Sequence, residues 1–314
     1  MKEIGGYLEL GGFFNKSYHD KAIALNTATN AIIYLVKAKK INKLYVPYYM
    51  CDCLDKVKKY CEIEYYRIKN DFSPDFNAKL KDNEYLYIVN FFGIFDNPAI
   101  EKYKEKYNNI IVDNVQAFFQ MPVDGIDTVY TCRKFFGVPD GAYLYTNAKV
   151  EEDIPEDKSK ARFGYLLGRL EEDASSNFRD YKVNEELLLN LDLAYMSKST
   201  KLILNTLDYE TIKKKRSNNF KYLNEKLKDS NGLTLKDIEG AYMYPYYTNN
   251  AQTLRKKLIE NKIYIPILWP NVLEQDENTL EYKYANNIIL IPCDQRYDIN
   301  DMEYIIDLVS EFKE

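Results

Sequence analysis

The chain has 314 residues, which suits one large domain plus a smaller one better than a single small core. Hydrophobic residues make up 46% and charged residues 29%, a globular balance that sets aside disordered and fibrous classes. The formal net charge of −5 offers nucleic acid no basic face, and no apolar run of about 18 residues reads as a membrane span.

In chain order, the start (Met1-Lys2-Glu3-Ile4-Gly5-Gly6) lacks the apolar core of a signal peptide, so cytoplasm is the expected location. Ala31 to Ala38 carries apolar residues at helical spacing, and Lys43-Leu44-Tyr45-Val46-Pro47 follows as a short strand. Cys53 to Tyr60 reads as helix, and Glu62 to Ile68 alternates as a half-buried strand. Tyr85 to Phe92 is a near-continuous apolar run, the pattern of a strand buried on both faces. Ala99 to Tyr107 is a charged helix, and Ile110 to Val112, Thr128 to Cys132 and Ala142 to Tyr145 return to strand. Strands alternating with helices imply right-handed crossovers and a mostly parallel sheet.

After Thr146 an acidic loop leads into Phe163 to Met196, which reads as helices, and then into a long helix from Leu202 to Leu227. The basic run Lys213-Lys214-Lys215-Arg216 on that helix reads as a solvated face. From Tyr242 a smaller α+β unit follows: strands at Met243 to Tyr247, Ile263 to Trp269 and Ile288 to Pro292, with helices at Ala251 to Asn261 and Met302 to Phe312. No dinucleotide or Walker-type glycine loop appears. The five cysteines (Cys51, Cys53, Cys61, Cys132, Cys293) are scattered and read as small buried hydrophobes; no metal site is expected. The only histidine, His19, argues against a histidine-dependent triad, so proton transfer in an enzyme would fall to lysine, carboxylate, tyrosine or a cofactor.

Chemistry concentrates between Ile110 and Tyr145. One strand ends in Asp113-Asn114-Val115-Gln116, and the next delivers Arg133-Lys134 before a loop that reaches Gly141. Taken singly, an aspartate closing a strand is a turn or cap residue, and a lysine is a solvated charge. Together, just past buried strands, they are what a pyridoxal-phosphate (PLP) site needs. The lysine amine forms a Schiff base with the cofactor aldehyde, and the carboxylate keeps the pyridine nitrogen protonated.

On these residues the chain resembles the sugar aminotransferases of the DegT/DnrJ/EryC1/StrS family, within the fold-type-I PLP enzymes. The landmarks are Thr27-Ala28-Thr29-Asn30-Ala31, Val46-Pro47, Val89-Asn90-Phe91-Phe92-Gly93, the Asp113 and Gln116 pair, and Lys134 seven residues before Gly141. The resemblance implies an α/β fold whose large, mostly parallel-sheet domain, with an N-terminal arm, spans residues 1–200. A smaller C-terminal α+β domain spans residues 201–314. It implies Lys134 and Asp113 as catalytic residues that also bind PLP, and Gln116 near the cofactor's phenolic oxygen. Backbone N–H groups of Ala28 and Thr29, at a helix N-terminus, would hold the phosphate.

The implied reaction moves an amino group from a donor, glutamate in most of the family, to a keto-sugar that can be nucleotide-linked. Two alternatives stand beside it: a non-catalytic sugar-binding homologue, and another PLP reaction on the same fold. The related dehydratases replace the lysine by histidine, so Lys134 favours transamination. A homodimer with sites at the subunit interface is expected, with the helical stretch Phe163 to Met196 as the covering surface.

The chain also departs from the family pattern. Thr131-Cys132-Arg133-Lys134 is two residues shorter than Ser-x-His-x-x-Lys, which leaves Thr131 as the phosphate hydroxyl. Cys51 stands where the ring-stacking aromatic is usual, with Tyr48 or Tyr49 as substitutes. The asparagine loop that reaches the neighbouring subunit has no match near Tyr195-Met196-Ser197. Tyr7, Tyr48, Tyr49 and Trp269 are candidate sugar-pocket aromatics, and Gly5-Gly6 would let backbone approach a ligand closely.

Overall fold

The structure, a computed structural model, describes residue 10 and residues 16–312; Tyr7 and the Gly5-Gly6 pair lie outside them. The apolar runs of the first half become one eight-stranded sheet. Its strands are β1 (Ile23–Leu25), β2 (Lys43–Pro47), β3 (Glu62–Ile68), β4 (Pro74–Asp75), β5 (Glu84–Val89), β6 (Ile110–Asp113), β7 (Asp127–Thr131) and β8 (Ala142–Tyr145). They lie in the order β1-β8-β7-β6-β5-β2-β3-β4. From β3 through β2, β5 and β6 to β7 every pairing is parallel, while β8, β1 and β4 extend the sheet antiparallel. Both β6 and β7 are buried along their whole length, as strands covered on both faces must be.

Helix α1 (Ala28–Lys39) leaves β1 through Thr27, whose hydroxyl accepts the Asn30 N–H at 3.1 Å. Helix α2 (Asn97–Tyr107) starts the same way from Asp96, with a proline in its first turn. Then come α3 (Gly164–Glu171), α4 (Phe178–Asn190), α5 (Lys198–Leu204) and α6 (Tyr209–Leu227). A second, two-stranded antiparallel sheet pairs β9 (Tyr244–Tyr247) with β10 (Ile288–Ile291). Around it pack α6, α7 (Ala251–Glu260), α8 (Leu280–Asn287) and α9 (Ile299–Ser310). Phe220, Leu223, Leu254, Ile289 and Val309 form a core of their own there. Among the described residues no helix is long and apolar enough to cross a membrane.

Four expectations change. Ile263 to Trp269 is not a strand: Pro266 has no N–H to give a ladder, and the run joins neither sheet, with Ile265 buried and Tyr264 and Ile267 exposed. The stretch from Cys53 to Tyr60 makes only two short 3₁₀ turns, Asp52–Leu54 and Val57–Lys59. The long helix breaks between Leu204 and Tyr209, where Asp208 caps a new start by accepting the Thr211 N–H. Of the cysteines, Cys132 and Cys293 are buried thiols and Cys61 is half-buried, but Cys51 and Cys53 pair as a disulfide.

Candidate active site

Parallel strands β6 and β7 bring Asp113 and Lys134 to the same edge, outside the carboxyl ends of the sheet. Asp113 closes β6 and is 5% exposed. Its Oδ2 accepts the Tyr87 hydroxyl at 2.7 Å, and its Oδ1 accepts the Val115 N–H at 2.9 Å. Burial pushes the Asp113 carboxyl above its usual range, while the Lys134 charge, the Tyr87 bond and the Val115 bond pull it down. Lys134 follows β7, and its Nζ stands 5.6 Å from the centre of the Tyr242 ring. Burial takes this amine down to about 8, against the opposing pull of Asp113. An amine so placed is part neutral near neutral pH, as a nucleophile or base requires.

Gln116 comes back to the same edge on the turn after Asp113. Its Oε1 accepts the Phe92 N–H at 2.7 Å, which locks the amide, and its buried Nε2 has no partner among the described residues. A buried donor without an acceptor costs about 1–3 kcal/mol, so this N–H is a place for a ligand oxygen. At the start of α1 the N–H groups of Ala28 and Thr29 have no hydrogen bond among the described residues, and the first turn carries no acid. Unbonded N–H groups backed by the helix dipole are groups to which an anion can bind. Thr131 is buried at the end of β7, opposite Ala142, with its hydroxyl likewise unbonded.

These pieces are tied together through backbone. The Gly141 N–H donates to the Asn26 carbonyl at 2.7 Å, joining the lysine loop to the entry of α1. Gly141 has φ +111°, and a Cβ there would meet a Thr200 methyl at 3.1 Å and the Cys132 sulfur at 3.2 Å. Glycine is therefore required seven residues after the lysine. Buried Asn30 donates to Asn26 Oδ1 and to the carbonyls of Leu191 and Asp192, each at 2.9 Å, and pins the other side of the helix entry. Within the loop, Asp140 is fully buried, accepts the Thr200 hydroxyl at 2.5 Å and pairs with Arg162.

All six residues read from sequence (Lys134, Asp113, Gln116, Thr131, Ala28, Thr29) thus lie along one sheet edge. The aromatic candidates do not join them so simply. Tyr48 is stacked on Tyr65 and covered by the Arg67 guanidinium at 4.3 Å, and Tyr49 is fully buried with Trp269 edge-on at 4.5 Å. Neither offers a free ring face. Tyr87, Tyr242, Asp140 and Arg216 escaped the sequence reading. Of these, only Asp140 carried a signal, an acid just before an obligatory glycine.

No family model and no curated protein matches the sequence. Solved structures do. A DegT DnrJ EryC1 StrS aminotransferase from Brucella abortus superposes with TM-score 0.62 at 14% identity, over 93% of this chain and 86% of that one. The PLP form of Spr1654, a sugar aminotransferase of Streptococcus pneumoniae by its description, gives 0.60 at 14%, over 93% and 86%. DesI, solved in the presence of its TDP-sugar product, gives 0.59 at 13%, over 92% and 79%. The chain has the fold of the sugar aminotransferases. The fold-type-I architecture expected from the landmark residues is therefore present over most of the chain.

Proposed function

We propose that this chain is a PLP-dependent aminotransferase that delivers an amino group to a keto-sugar, with glutamate as donor and a nucleotide-linked sugar as acceptor. The observation that carries the reading is the unpartnered Gln116 Nε2 on the same strand-end surface as Asp113 and Lys134. An unfilled donor, a buried carboxylate and an amine lowered to about 8 make little sense as a purely structural set. They fit a flat heteroaromatic phosphate with a basic ring nitrogen, a phenolic oxygen and an aldehyde.

Lys134 would hold the cofactor covalently, the Asp113 carboxylate would keep its ring nitrogen protonated, Gln116 Nε2 would donate to its phenolic oxygen, and the α1 N-terminus would take its phosphate. PLP, when bound, supplies the electron sink that makes a donor Cα–H acidic. Lys134 Nζ, freed when the donor's own amine takes its place, would be the base that takes that proton and gives it back at the other end of the transfer. Burial raises the Asp113 carboxyl, and its two hydrogen bonds and the Lys134 charge oppose that rise. Support for the sugar side is by likeness of fold alone, to proteins described as sugar aminotransferases and to DesI with its TDP-sugar product.

The reading includes a division near residue 200 into a cofactor-binding and a smaller domain, and a homodimer. For the dimer, α3 and α4 present Leu167, Leu170, Phe178, Val183, Leu187 and Leu189 to solvent. Helix α4 also touches the lysine loop, through Asn184 to the Pro139 carbonyl at 3.1 Å and through the Glu185–Arg133 pair.

Absorbance of the purified protein with added PLP tests the function. A band near ~420 nm, removed by borohydride, is the signature of a lysine adduct, and mass spectrometry should then find the cofactor on Lys134. Lys134→Ala should lose both. Label on a different lysine overturns the assignment, and no band at all supports the non-catalytic sugar-binding homologue.

A further inference from the structure

Arg216 stands in a run of lysines, yet it is 2% exposed while Lys214 and Lys215 face solvent. Burying a guanidinium costs several kcal/mol unless its donors are met. Here they are met by main-chain carbonyls. Nη1 donates to Ala241 and Tyr242 at 2.9 and 3.2 Å, and Nη2 donates to Phe135 at 3.0 Å. Nε donates to Gln295 Oε1 at 2.7 Å, and Gln295 Nε2 donates in turn to the same Phe135 carbonyl at 2.8 Å. The guanidinium plane also covers the Phe135 ring at 4.7 Å.

The two segments so joined are not arbitrary. Phe135 is the residue after Lys134, and Tyr242 carries the ring that stands against the Lys134 amine. A planar fork that bonds three carbonyls sets the relative position of two backbones in a way that a lysine's single ammonium does not. We propose that Arg216 is a positioning residue for Lys134: it fastens the Phe135 and Tyr242 main chains to each other and so keeps the reactive amine against the Tyr242 ring. The amine is thereby shielded from water by an element that arrives late in the chain, and its reactivity depends on that element being seated. This rests on the reading of Lys134 as the reactive lysine.

The test measures the Lys134 amine directly, in the full chain without added PLP, by competitive acetylation across pH with mass spectrometry and with exposed Lys215 as internal reference. The charged groups that act on this amine are Asp113, Arg133 and Glu185, and every variant leaves all three in place. In Arg216→Met, labelling of Lys134 relative to Lys215 at pH 8 should fall about 5-fold, since a rise of one pKa unit from about 8 takes the neutral fraction of the amine from about a half to about a tenth. Tyr242→Ala should do the same, and Tyr242→Phe, which keeps the ring, should restore the wild-type value. Should Arg216→Met fail to fold by its melting transition, Gln295→Leu removes one bond to Phe135 and one to Arg216, and should move the ratio in the same direction. A folded Arg216→Met or Gln295→Leu protein with unchanged Lys134 labelling overturns the proposal. The outcome is independent of whether PLP binds, so failure of the cofactor reading appears separately, as absent capture on a normally titrating Lys134.

Discussion

The Tyr87 hydroxyl donates to Asp113 Oδ2 at 2.7 Å across two neighbouring parallel strands, with both groups buried. Tyr87 is held in turn by the sheet: its own carbonyl accepts the Tyr66 hydroxyl at 2.8 Å. This bond aims the carboxylate and stabilises its charge. Tyr87→Phe removes it without opening a cavity. A hydrogen bond to a charged group contributes about 1.5–3 kcal/mol, so conversion with glutamate should slow roughly 10- to 100-fold with the PLP–Lys134 adduct still formed. Asp113→Asn, which removes the charge itself, should cost at least ~10²-fold in the same stopped-flow assay. Near-normal rates in both would reduce Asp113 to a turn residue.

Gly141 gives a test of the loop. Its φ of +111° strains any residue with a side chain, and a methyl group there would press on Thr200 and Cys132, which would have to give by a few tenths of an ångström. Gly141→Ala should destabilise the protein by about 2 kcal/mol or more. Because Gly141 also bonds Asn26, PLP capture should weaken beyond what the lost stability explains. Urea unfolding and a PLP titration on the same samples separate the two effects, and unchanged values for both contradict the packing seen here.

Much of this was legible before the structure because it depends on local pattern. Strands β2 and β3 were readable to the residue, β2 as a short apolar run between clear breaks and β3 as a half-exposed run of isoleucines and tyrosines among charges. Asp113 and Lys134 were legible because each sits at or just past the end of a buried strand, and Gly141 because it stands just before the next one. What escaped depends on which distant segments touch. Tyr87 looked like one more core tyrosine until the β5–β6 register placed it beside Asp113. Arg216 looked solvated because its three lysine neighbours set the composition, while the helical turn that buries it is decided by the Phe135 and Tyr242 carbonyls. Ile263 to Trp269 has a strand's alternation but no partner edge, which no window of sequence reveals.

His19 offers a pH test away from the active site. It is 1% exposed, with Nε2 donating to the Phe118 carbonyl at 2.9 Å and Nδ1 accepting from the Tyr145 hydroxyl at 3.1 Å. Burial holds it down at about 4, well below the ordinary 6.5. Between those values the unfolded chain binds the proton that the folded chain refuses. Stability should therefore be complete above about pH 6.5 and decline as pH falls toward 4, by up to about 3 kcal/mol from this residue. His19→Gln keeps a donor and an acceptor but cannot titrate. Urea unfolding at pH 7 and pH 4.5 should show a smaller loss in the variant, and identical losses would mean that His19 carries no proton linkage.

The last prediction concerns assembly. Leu170 is 81% exposed, and Phe178, Leu187 and Leu189 are each at least half exposed, an apolar area too concentrated for a surface that meets only water. On the same helix α4, Asn184 and Glu185 hold the lysine loop through Pro139 and Arg133. A two-fold partner seated on α3 and α4 would therefore press on the support of Lys134, and a stable contact of this kind needs about 800 Å² from each copy. Light scattering at micromolar concentration should give about twice the 37.0 kDa chain mass. Leu170→Glu combined with Leu187→Glu, both on exposed positions, should return a folded monomer. That monomer should retain PLP more weakly, because the support behind the lysine loop is no longer braced. A wild-type monomer with undiminished PLP binding would leave the exposed face unexplained and remove the shared-site arrangement.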